Sequence, residues 1–108
     1  MCIYNFPAAV GGVDLDSDIL IELSEHQNCF GAKLTCAGIG KGTRLAAHTQ
    51  SKAYLSRHAP FHTMPGFSDY LLPALVCRHT GCITGTGASS LSAVLLQLKL
   101  TSRRVQAT

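Results

Sequence analysis

The sequence has no tryptophan, two methionines and little charge, with Asp, Glu, Lys and Arg together making up 14% of its 108 residues. Its longest apolar stretches run to about ten residues, half of what a membrane-spanning helix requires, so no membrane partner is expected. It also lacks a basic stripe interleaved with aromatics. The nine Lys and Arg residues are dispersed from Lys33 to the Arg103-Arg104 pair in the tail, so the net charge of +3 does not suggest a nucleic-acid surface. No secretory leader is recognisable, and the five cysteines are odd in number and irregularly spaced. Free thiols in a reducing compartment follow, with the cytoplasm expected and the mitochondrial matrix as the other choice.

What is present is hydrophobic for so short a chain, at 46% of residues. Such a composition reads like the interior of something larger. Four short strand-like runs occur at 2–5, 29–35, 61–64 and 82–84. Each is followed by a helical pattern: one capped by Asp16 or Ser17 and running to Glu25, with Ile19, Leu20 and Leu23 as its buried face; one from Thr43 to Arg57; one capped by Ser68 or Asp69 and ended near Gly81; and one bearing Leu91, Val94, Leu95 and Leu98. The order βαβαβαβα implies a parallel sheet with helices on its faces. Four such units make half of an eightfold barrel, and they also suffice for a doubly wound sheet, so pattern alone leaves both folds open. In either, functional residues gather at the carboxyl ends of the strands.

One of those ends carries Phe30-Gly31-Ala32-Lys33-Leu34-Thr35-Cys36, with a single lysine in an otherwise uncharged run. Such a lysine either snorkels to water or sits partly desolvated, where it becomes an amine nucleophile able to form an imine with a ketone. Other chemistry-bearing patterns are weaker. Cys77, His79 and Cys82 supply only three metal-ligand types across a helix end and a strand, and are read as structural, so no metal or cofactor is expected. The run Gly38 to Thr43 fails as a phosphate loop because Gly42 follows Lys41 where serine or threonine is required. His48, His58 and His62 have no triad spacing.

Ile3-Tyr4-Asn5-Phe6-Pro7, followed about thirty residues later by Gly31-Ala32-Lys33-Leu34-Thr35, resembles the dihydrodipicolinate synthase and N-acetylneuraminate lyase family of class I aldolases. The likeness continues through Gly66-Phe67-Ser68-Asp69 and Gly81-Cys82-Ile83-Thr84-Gly85, covering roughly residues 2 to 87. It implies a partial TIM (β/α)8 barrel, strands five to eight with their helices, over 1–87, and a divergent helical tail over 88–108. It further implies that Lys33 forms a Schiff base with a pyruvate-type 2-oxo acid and that Tyr4 carries protons. Pro7 would stiffen the connection behind Tyr4, and Thr35, Gly66, Thr84 and Gly85 would line the substrate pocket. A full-length chain of this family would be a homo-oligomer, a tetramer.

Two departures refine the expectation. The synthase branch has an arginine two residues after the motif proline, where this sequence has Ala9, so a second carboxylate clamp is missing. Tyr4-Asn5-Phe6-Pro7 and Lys33-Leu34-Thr35-Cys36 are more similar to fungal 2-keto-3-deoxy-L-galactonate and 4-hydroxy-2-oxoglutarate aldolases, lyases releasing pyruvate and an aldehyde. Nothing matches the family's first four strands, so the sequence is expected to be an incomplete, inactive piece of a barrel. The alternative is a non-catalytic half-barrel that pairs with a full-length paralogue.

Overall fold

A computed structural model describes residues 1–106. The last two positions of the expected tail lie outside the described residues, as do the side chains at 102 and 104–106. Three strands, β1 (Cys2–Asn5), β2 (Gly31–Leu34) and β3 (His62–Pro65), form a parallel sheet in the order β1-β2-β3. The helices are α1 (Ser17–Ser24), α2 (Ile39–Thr49), α3 (Lys52–Leu55), α4 (Leu71–Val76), α5 (Thr86–Ser89) and α6 (Leu91–Gln106). Parallel neighbours require a crossover between strands, and each is supplied here by helix.

The core lies between the sheet and the first three helices. Ala32 and Leu34 of β2 meet Leu20, Leu45, Tyr54 and Phe61 there. Each fully buried leucine adds about 2 kcal/mol of burial free energy. On the opposite face of the sheet stand Lys33 and Thr35, because side chains alternate along a strand.

α1 begins where expected, with the Asp16 carboxylate accepting from the Asp18 and Ile19 amides at 3.0 and 2.9 Å. Its buried face differs from expectation. Leu20 is buried together with Ser17 and Ser24, whereas Ile19 and Leu23 are exposed. The cap fixes the helix phase, and positions 17, 20 and 24 turn inward, with Ser17 Oγ accepting from Arg44 Nε of α2 at 2.9 Å.

The helix expected over 43–57 starts earlier and is broken. α2 takes in Gly40 and Gly42, and the left-handed turn preceding it falls on Ala37 (φ 57°) rather than on a glycine. Gly42 permits a close approach, since a Cβ there would come within 2.5 Å of His79 Nε2. Ser51 then restarts the chain as α3, its hydroxyl accepting from the Tyr54 amide.

α4 starts at Leu71 with Tyr70, not Ser68 or Asp69, in the cap position, and the Asp69 carboxylate accepts from the Tyr70 amide at 3.0 Å. The helix ends on Arg78, which takes the left-handed conformation (φ 68°) expected at Gly81. The His79 amide donates back to Ala74 O at 3.0 Å, a Schellman closure that folds the imidazole into the interior.

The fourth expected strand, 82–84, is not one. Thr80 N donates to Thr63 O and Ile83 N to Pro65 O, so this segment follows β3. Three steps on one side oppose two on the other, and that extra residue prevents a continuous ladder. α6 packs on α4 and α5. Val94 and Thr101 are its buried residues among those described, while Leu91 and Leu95 are exposed.

Candidate active site

The strand register brings Tyr4, Lys33 and Met64 side by side. All three project from the face opposite the helix-packed core. Lys33 Nζ lies 4.3 Å from the centroid of the Tyr4 ring, within cation–π range, where the ring face attracts an ammonium. Lys33 is half-buried and Tyr4 is exposed.

Around this pair lies a cleft of about 400 Å³ at the carboxyl ends of the strands. Every residue singled out from the sequence borders it: Tyr4 and Lys33 with Thr35, Gly66, Thr84 and Gly85. The residues missed from sequence alone are Phe6, Phe67, Ser68 and Asp69, which with Thr86 complete its wall. Phe6 and Phe67 could have been suspected because each sits inside a quoted motif, one or two positions from a predicted site residue.

The wall has two parts. Tyr4, Phe6 and Phe67 form an aromatic chain, with centroids 5.7 Å apart for the first pair and 6.4 Å for the second, which is edge-to-face. The polar part of the lining includes the Ser68 and Thr86 hydroxyls, which are hydrogen-bonded at 2.8 Å. Asp69 adds a carboxylate, and Lys33 is the only cationic side chain among the lining residues described.

Asn5, the second residue of the Tyr-Asn motif, is a scaffold member. It is buried, its Nδ2 donates to Asp14 Oδ1 at 2.8 Å, and its Oδ1 accepts from the Leu15 amide at 3.1 Å. Lys41 Nζ caps the same Asp14 carboxylate, and that bond is the first cause holding Asp14 below the usual range. The loop after β1 is thus tied to the start of α2.

Below Gly66 the backbone is crowded. A Cβ there would strike the Thr35 side chain and come within 2.8 Å of Thr35 Cα. The Thr35 hydroxyl is buried and has no hydrogen-bond partner. Among the described residues, no group of three or more His, Cys, Asp or Glu is placed to hold a metal ion, and no helix is long and apolar enough to cross a membrane.

Comparison with known proteins fits this geometry. The chain is 40% identical over 85 residues to an L-threo-3-deoxy-hexylosonate aldolase of Hypocrea jecorina, covering 79% of this chain and 27% of the relative. It is 42% identical over 84 residues to a protein named as a probable mitochondrial 4-hydroxy-2-oxoglutarate aldolase in Emericella nidulans, covering 78% and 25%. A dihydrodipicolinate synthase family protein from Coccidioides immitis superposes with a TM-score of 0.65 at 30% identity, over 94% of this chain and 35% of that one. The chain matches part of the barrel fold seen in dihydrodipicolinate synthase family proteins. It spans about a quarter to a third of the length of the curated relatives it matches. The prophage protein YagE of E. coli, of the same family, shares the fold with a TM-score of 0.74 at 24% identity, over 91% of this chain and 31% of that one. No family model matches the chain.

Within that barrel architecture the cleft occupies the expected place, at the carboxyl ends of the strands. Both sequence relatives carry the name of an aldolase.

Proposed function

We propose that this cleft is the Schiff-base half of a pyruvate-releasing aldolase site, with Lys33 as nucleophile and Tyr4 as proton carrier. The observation that carries the proposal is the Lys33 amine set 4.3 Å over the Tyr4 ring, on adjacent strands, in a cleft bordered by the other motif residues. In a complete barrel the amine would add to the C2 carbonyl of a 2-oxo acid and water would leave, giving an imine. That imine accepts the electron pair of the breaking C3–C4 bond. The proton of the C4 hydroxyl would pass through the Tyr4 oxygen and return to C3 of the resulting enamine, so the aldehyde departs and hydrolysis frees pyruvate. Pyruvate is the ligand of YagE.

The finer assignment is to a 2-oxo-3-deoxy sugar acid over a 4-hydroxy-2-oxo dicarboxylate. A second carboxylate would need a cation, and Lys33 is already committed. The polar lining of Ser68, Thr84, Thr86 and Asp69 instead offers hydroxyls and an acceptor to a hydroxylated chain. Such an enzyme would work as a homo-oligomer in the cytoplasm or in the mitochondrial matrix; the name of the E. nidulans relative places that protein in the mitochondrion.

Borohydride reduction in the presence of pyruvate tests the assignment. A complete barrel carrying this segment should gain a stable adduct at Lys33, and Lys33→Arg, which keeps the charge, should abolish both adduct and turnover. An adduct elsewhere, or unchanged turnover in Lys33→Arg, refutes it.

A further inference from the structure

Tyr70 does not border the cleft, yet its side chain joins the two strand ends that build it. It stands just before α4, buried to 8% exposure. Its hydroxyl donates to the carbonyl oxygen of Leu34, the last residue of β2, and accepts from the Gly66 amide just past β3 at 3.3 Å. The same Gly66 amide also donates directly to Leu34 O at 2.9 Å.

We propose that Tyr70 is a positioning residue for the Lys33 amine, its phenol fixing the peptide between Leu34 and Thr35 against the Gly66 turn. The inference rests on the aldolase reading only for what Lys33 does. Leu34 lies between Lys33 and Thr35, so the tilt of its carbonyl sets the direction of both neighbouring side chains into the cleft. Gly66 is pressed so closely on Thr35 that only a glycine fits, and a bond holding Gly66 therefore also holds Thr35. From the ring side, Tyr70 packs on Phe67 at 6.4 Å, Phe67 on Phe6 at 6.4 Å, and Phe6 on Tyr4 at 5.7 Å. One buried side chain thus reaches the nucleophile through β2 and the proton carrier through a chain of aromatic contacts. Burial raises the phenol's pKa, so the hydroxyl keeps the proton it donates. Both its bonds go to backbone, which leaves it no part in proton transfer.

Tyr70→Phe in a complete barrel carrying this segment is the test, because it keeps the ring contacts and leaves Leu34 O its bond from Gly66. Reductive trapping of pyruvate on Lys33 should slow by about tenfold at saturating pyruvate, with apparent pyruvate affinity little changed, as expected when a nucleophile is misaligned and not lost. Amide exchange at Gly66 and Thr35 should quicken by about tenfold, while the Ala32 amide in the body of β2 stays protected. Trapping at the parental rate across the pH range, with the parental split between rate and affinity, overturns the inference. If the complete barrel with Tyr70 intact traps no pyruvate, the aldolase reading fails, and amide exchange alone decides whether Tyr70 fixes the strand ends. Unchanged exchange at Gly66 and Thr35 then refutes it. Should Tyr70→Phe fail to fold, the unaltered chain still decides the matter. A slowly exchanging Tyr70 hydroxyl proton supports the bond, and one in free exchange with water overturns it.

Discussion

His79 should make the fold sensitive to mild acid. Its ring is 4% exposed, neither nitrogen has a hydrogen-bond partner, and the backbone of Gly42 closes over it. Burial lowers its pKa, because the interior penalises the imidazolium. The unfolded chain, by contrast, protonates the same residue near pH 6.5. A depressed folded pKa means the unfolded state binds the proton first, so stability is full above about pH 6.5 and falls as pH drops below it. The slope from this one group is at most about 1.4 kcal/mol per pH unit. Integrated from pH 7.5 to pH 5.5, the loss is at most about 1.4 kcal/mol, the limit set by a folded ring that takes up no proton over that range. Urea unfolding at a series of pH values, run on the parental chain and on His79→Leu, isolates that share, since other titrating groups act in both. At pH 7.5 the leucine variant should be as stable as the parent or more so, because a buried imidazole with two unpaired nitrogens is itself a burden. Parallel stability curves for the two proteins between pH 7.5 and 5.5 would refute the reasoning.

Gly66→Ala should destabilise by at least about 1–3 kcal/mol in the same unfolding assay, since the new methyl must displace Thr35 backbone as well as side chain. Tyr54→Phe should lose about 1–2 kcal/mol, because the phenol donates to Ser24 O at 2.7 Å and its removal strands a buried carbonyl. Thr35→Val should leave stability unchanged or raise it, as the hydroxyl it removes is buried without a partner; a clear loss would mean an ordered water bonds there. The Glu25 carboxyl is held below its ordinary range first by the His48 hydrogen bond, then by that of His58 and the charge of Arg57. Its contribution is therefore present above the usual glutamate pKa and lost as pH falls through the lowered one. Thermal melts of Glu25→Gln should show a flatter decline than the parent on that acid limb.

The parts that could be read from the sequence were those set by local pattern. Asp16 caps α1 and Lys33 stands near the end of a strand, as pattern and spacing imply, and the residues that the family resemblance offers for the pocket, Tyr4, Thr35, Gly66, Thr84 and Gly85, border one cleft with Lys33. Tertiary contacts decided the rest. Gly40 and Gly42 look like a loop but lie within α2, and at Gly42 a bare backbone is what admits the His79 ring. Arg78 accepts the left-handed conformation that suits Gly81 better, since the closure from His79 N to Ala74 O and the Gln50 side chain donating to Arg78 O at 2.7 Å pin it there. Ile19 and Leu23 have the spacing of a buried face, but the apolar stripe of α1 is wider than the surface available to it. Nothing local to Cys82-Ile83-Thr84 reveals that it meets β3 three steps against two.

Site and scaffold share the same short strand. In β2, Ala32 and Leu34 turn to the helix layer while Lys33 and Thr35 turn to the cleft, so a shift of one residue would exchange core for chemistry. The core resists that shift, since Ala32 and Leu34 are almost fully buried and a lysine cannot replace either without stranding its charge. The neighbouring strand resists it too: Thr35 N donates to Asn5 O at 2.9 Å, which locks the register that sets Tyr4 beside Lys33. Asn5 in turn is held through its side chain by Asp14 and Leu15. The placement of one amine over one aromatic ring therefore depends on apolar packing and on a buried amide, neither of which touches the cleft. Changes at Ala32, Leu34 or Asn5 should consequently disturb the Lys33–Tyr4 pair as directly as changes to the pair's own surroundings.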